Sequence, residues 1–114
     1  MKQEQFLKIL AMEGFPEPTL VVREGARFLD HHDHPFEVKA LVVSGQIDLM
    51  VDGVKSAYIA GDVFHLLPHQ AHTERYGNNG VQYLASRRDD FSSANLEHIA
   101  KGNPTISSID CPNP

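Results

Sequence analysis

The segment His31-His32-Asp33-His34-Pro35-Phe36-Glu37 decides how this chain is read. On a β-strand, successive side chains point to opposite faces. His32 and His34 therefore share one face, about 6.6–6.8 Å apart along the chain. Two imidazoles at that separation can converge on one metal ion, held about 2.0–2.1 Å from each nitrogen. His31 and Asp33 point the other way if the strand is regular. An H-x-H pair alone is a weak signal, and its plain alternative is a polar strand end near water. The surroundings strengthen it, because histidine is the unusual component of this chain. There are seven, and His31, His32, His34, His65 and His69 crowd one stretch of the sequence.

The segments around this stretch read as strands. Residues 19–23 are short and β-branched, and 26–30 lead into the histidines. Residues 38–43 form an apolar run that ends at Ser44-Gly45. Residues 47–51 alternate apolar and polar, and Asp52-Gly53 behind them is the strongest short hairpin signal in the chain. Residues 54–59 return. Ala60-Gly61-Asp62 turns, 63–67 run to Pro68, and 72–76 are short and polar. Gly77-Asn78-Asn79-Gly80 reads as a turn and 81–86 as the last clear strand. Closely spaced short strands with turn signals predict a sandwich or barrel. No stretch between Thr19 and Ser86 reads as a helix, which argues against a parallel α/β sheet.

Helical spacing is confined to the two ends. Phe6, Ile9 and Leu10 predict a helix over 3–13, stopped by Gly14 and barred from continuing by Pro16 and Pro18. Leu96, Ile99 and Ala100 predict a second short helix over 91–101, ended by Gly102-Asn103-Pro104. The chain of 114 residues is read as one domain. Its barrel covers about 19–88, between an N-terminal helix and linker over 1–18 and a C-terminal extension over 89–114.

Composition excludes several classes. Net charge is -5, from 10 basic and 15 acidic residues, and no basic stripe exists to bind nucleic acid. Arg87-Arg88 is followed at once by Asp89-Asp90, which reads as a solvated strand end. No apolar run approaches the ~18 residues of a membrane span. The opening residues lack the apolar core and cleavage site of a secretory signal. Cys111 is the one cysteine, so no intramolecular disulfide forms and a reducing compartment fits. A cytoplasmic protein is expected.

The spacing of glycines and histidines resembles the two signature motifs of the cupin superfamily. Gly25, His32, His34 and Gly45 match the first motif. Gly61-Asp62, Pro68 and His72 match the second. The resemblance covers roughly residues 19–87. It implies a small all-β fold, an antiparallel barrel or jelly roll. It also implies that His32, His34 and His72 meet in the barrel mouth to hold a divalent metal, whether Fe, Zn, Ni, Cu or Mn. A homodimer is a further implication. The sequence departs from the motifs in three places. The first motif's acid position holds Val38, with Glu37 one residue early. Pro68 falls one residue late with no glycine after it. His65 and His69 are additional.

Glu37 stays open between metal ligand, acceptor for a ligand's N–H, and surface acid. His65 reads as a satisfied strand residue, and His69 and His98 as solvated. With His32 and His34 inward, Phe36, Val38, Ala40 and Val42 share their face. Phe36 and Val38 are expected in the pocket wall, and Ala40 and Val42 in the core. Glu74 and Tyr76 share the face of His72 and, with Gln46, are expected to add polar contacts. Glu37, Glu74 and Tyr76 are the candidates for moving a proton. No Lys or Arg is placed among the inward positions, so a sugar phosphate or dicarboxylate is not the expected ligand. Two readings remain: a metal-dependent enzyme of dioxygenase, isomerase or decarboxylase type acting on a small organic molecule, and a non-catalytic module that binds or senses a small molecule.

Overall fold

The computed structural model describes residues 1–89. The helix expected over 91–101, with His98, and the tail carrying Cys111 lie outside the described residues. The described elements run α1 Gln3–Glu13, β1 Thr19–Arg23, β2 Phe28–His32, β3 Phe36–Val51, β4 Val54–Ile59, β5 Val63–Leu66 and β6 His72–Asp89.

Two long strands organise the barrel, and every pairing is antiparallel. β3 and β6 pair along both their halves. The first half of β3 also pairs with β5, from Val38 to Leu41, and its second half with β4, from Gln46 to Val51. β6 does the same with β2, near His72 to Arg75, and with β1, from Val81 to Ala85. Each long strand thus serves two sheet faces, which is the architecture of a jelly roll.

The strands turn between faces where the sequence reading placed strand ends. Ser44-Gly45 does not end a strand, and residues 77–80 do not separate two. The β3–β6 register shifts between Val42 and Ser44 and again between Gly45 and Ile47, so bulges bend both strands while they continue. Close backbone approach explains the glycines there. A Cβ on Gly45 would lie 2.1 Å from the Gly80 carbonyl oxygen, and one on Gly80 would lie 2.3 Å from that of Arg23. Both also sit at φ +79°, a region costly to L side chains.

Three local readings of the sequence hold. Asp52 and Gly53 both take positive φ, 51° and 78°, as a two-residue type I′ hairpin requires. α1 spans the predicted residues and ends at Gly14, whose φ of 83° is left-handed. Its buried Phe6 and Leu10 pack with Phe15 on Leu41, Val63 and Leu84, outside the barrel. β2 begins two residues later than expected, because Ala26 adopts φ 57° and belongs to the preceding turn.

Inside the barrel, alternation works as predicted. Phe36, Val38, Ala40 and Val42 are all buried, together with Ile47, Leu49, Phe64, Leu66, Tyr76, Val81, Tyr83 and Ala85. Leu41 points outward and is buried by α1 instead. No described helix is long and apolar enough to cross a membrane.

Candidate metal centre

Three elements deliver the histidines. His32 ends β2 and stands opposite His72, the first residue of β6. His34 lies beyond β2, in the short connection to β3. The carbonyl of His34 accepts from the backbone N–H of His69 at 2.6 Å, which pins that connection to the loop before β6. The ring centroids are 5.0 Å apart for His32–His34, 4.3 Å for His32–His72 and 5.4 Å for His34–His72. His34 and His72 are buried, and the His34 ring stacks on Phe36 at 5.0 Å. The three predicted ligands therefore meet, with Phe36 as their apolar wall.

Glu74 joins them. It lies two residues after His72 on the same face of β6 and is buried. One donor atom from each of His32, His34, His72 and Glu74 falls within 4.8 Å of the others. Two donors at about 2.1 Å from one ion lie at most about 4.2 Å apart, so the set stands close to the spacing that a single ion would need.

The hydrogen bonds bear on what this set could hold. His32 Nδ1 lies 2.7 Å from the Asp30 carbonyl, and His72 Nδ1 lies 2.9 Å from that of Gln70. A carbonyl only accepts, so each Nδ1 carries its ring's proton. In a neutral imidazole Nε2 is then a bare lone pair. Yet both Nε2 atoms face the same carboxylate oxygen, Glu74 Oε2, at 3.1 and 3.2 Å. Lone pairs meeting a carboxylate in a buried site repel unless protons or a metal ion lie between them. Burial works to raise the Glu74 carboxyl, but bonds from His32, His72 and Tyr76 outweigh it and hold the group down to about 2. The bond to Glu74 raises His32, against its own burial. Carbonyls that orient a ligating histidine through Nδ1–H are the usual support of a metal site, and the donor set fits a divalent ion.

Tyr76 donates to Glu74 Oε1 at 2.9 Å and fixes the carboxylate from its other side. Burial, then the neighbouring Glu74 charge, push this phenol far up, so it stays a donor.

Several expected site residues lie elsewhere. Glu37 faces out of the barrel, as strict alternation requires. It accepts from Arg88 at 2.7 and 3.1 Å and meets His65 Nε2 at 2.5 Å, and it is not brought to the histidine cluster. Gln46 is no pocket residue either. The bulge at Gly45 turns it outward, where it donates to Asp48. Val38 is fully buried in the core. Exposed His69 stays outside the centre. The sequence reading missed Glu74 as a donor, although the alternation that joins His32 to His34 also joins His72 to Glu74. It also missed Arg23, which lines one cleft with Tyr76.

Comparison of the fold with solved structures agrees with this geometry. A cupin superfamily protein from Desulfitobacterium hafniense superposes with a TM-score of 0.55 at 17% identity, over 62% of this chain and 64% of that one. The chain has a cupin fold. An RmlC-like cupin from Shewanella frigidimarina matches with a TM-score of 0.53 and 24% identity, over 68% of this chain and 71% of its own. The DMSP lyase DddQ from Ruegeria pomeroyi matches with a TM-score of 0.57 and 19% identity, over 64% of this chain but 38% of the lyase. No family sequence model and no curated protein sequence matches the chain. At these identities the likeness extends to the cupin barrel alone.

Proposed function

We propose that His32, His34, His72 and Glu74 hold one divalent metal ion and that the chain is a small cupin metalloenzyme acting on a small organic molecule. The supporting observation is the pair of Nε2 atoms turned onto one oxygen of Glu74 while both Nδ1 protons are committed to carbonyls. Three imidazoles and a carboxylate suit Fe, Mn, Ni, Cu or Zn. Bound there, such an ion would supply Lewis acidity and open positions for substrate. The chain's own residues have separable tasks. The Asp30 and Gln70 carbonyls fix the imidazole tautomers. Tyr76 holds Glu74 by its second oxygen, and Phe36 with the core below excludes water. That one fold neighbour is a lyase agrees with catalysis on this barrel.

A non-catalytic module whose metal has a structural effect is the second reading, and the cluster from Phe36 to Ala85 that fills the barrel floor favours it.

Metal content per chain tests the centre. Purified without a histidine tag, the wild type is expected to carry or take up about one equivalent, and the His32→Ala/His72→Ala variant none. A wild type that takes up no metal at neutral pH overturns the proposal.

A further inference from the structure

A cleft of about 290 Å³ opens between β1 and β2, beside the barrel wall that carries Glu74. Val22, Phe28 and Leu29 give it apolar sides, and Arg23, Arg27 and Tyr76 give it polar ones. Arg23 and Tyr76 line it together, and the Tyr76 hydroxyl donates to Glu74 of the proposed metal centre at 2.9 Å.

We propose that this cleft binds a small monocarboxylate, with Arg23 gripping the carboxylate and Val22, Phe28 and Leu29 holding a short apolar body. The guanidinium's fork of donors matches a carboxylate in two-point contact. Charge selects the class. Glu24 also lines the cleft and pairs with Arg27 at 2.9 Å. The two arginines and one glutamate leave a single net positive charge, which suits one carboxylate better than a phosphate dianion or a dicarboxylate. An apolar cleft with a few converging polar groups is the usual form of a small-molecule site. As a substrate site, the cleft rests on the metalloenzyme reading; as a binding site it does not.

The test titrates metal-free protein with benzoate and with its neutral analogue benzamide, followed by ¹H–¹⁵N NMR that includes the arginine Nε–H signals. Benzoate is expected to move the Arg23 Nε–H and the Tyr76 amide and to bind about tenfold or more tightly than benzamide. Arg23→Met is expected to weaken benzoate about ten- to hundredfold, the loss of a charge-assisted contact, and Arg23→Lys to weaken it less. His32→Ala, which removes a proposed metal ligand, is expected to leave benzoate binding in place. The failure of the metal centre and the failure of the cleft are thereby told apart. Equal affinity for benzoate and benzamide, no benzoate binding to wild type, or unchanged affinity in a folded Arg23→Met overturns the proposal. Should Arg23→Met not fold, Arg23→Lys with wild-type affinity and no change at the position 23 side-chain signal overturns it as well.

Discussion

Glu37 is the acid that the sequence places nearest the histidine motif, and the structure gives it structural work instead. Replacing it with glutamine keeps its shape and removes its charge. The carboxylate accepts two bonds from Arg88 and meets His65, and its side chain is 17% exposed. Bonds to a charged group contribute about 1.5–3 kcal/mol, and neutral ones about 0.5–1.5. His65 is 41% exposed, so solvent screens its share and Arg88 accounts for most of the effect. Glu37→Gln should therefore cost about 1–2 kcal/mol at pH 7, a shift of several degrees in Tm for a domain this size. The sign with pH follows from the titration of Glu37. Its burial raises the carboxyl, but the bonds from Arg88 and His65 outweigh this and lower it. A depressed carboxyl contributes stability that is present above its unfolded value and lost as pH falls through its folded one. Urea melts of wild type and variant should thus converge as pH drops below the ordinary carboxylate range, while metal content stays unchanged at every pH above it. A variant that loses metal, or a gap that stays constant into acid, would refute the placement of Glu37 outside the centre.

Other expectations follow from the packing. Gly45→Ala sets a Cβ against the Gly80 carbonyl at a positive φ and should cost at least about 3 kcal/mol or abolish soluble expression, read by thermal melting. Phe6→Ala removes the fully buried anchor of α1 and should cost about 3–5 kcal/mol in urea melts, with metal stoichiometry intact. Tyr76→Phe removes the donor to Glu74 Oε1 and should weaken metal binding about 10- to 100-fold in competition with a chelator, without abolishing it.

Much of the fold is legible because its signals are local. β1, β4 and the Asp52-Gly53 hairpin depend on residues adjacent in sequence, and α1 on a three-turn periodicity closed by Gly14. The two long strands were harder to read. Gly45 and Gly80 look like turn residues, but they are glycine because two backbones pass within van der Waals distance at the barrel's corner. That contact is between distant residues, and one sequence does not display it. The same holds in the site. Alternation brought His32 and His34 together and kept Glu37 out, but Gln46 was misplaced by a bulge. Glu74 shows the reverse case. Its spacing from His72 carried the signal, and the carboxylate was sought beside the first pair of histidines instead. Arg23 was invisible because its role depends on which strand lies beside β6.

The most direct test of the central claim is anomalous diffraction from crystals of the metal-loaded protein. The account predicts one strong peak bonded to Nε2 of His32 and of His72, with His34 and Glu74 completing the protein's donors and both Nδ1 atoms still donating to the Asp30 and Gln70 carbonyls. A peak at Glu37–His65 or Asp33–His69, bonding through Nδ1 of His32 or His72, or no peak from fully loaded protein would contradict it.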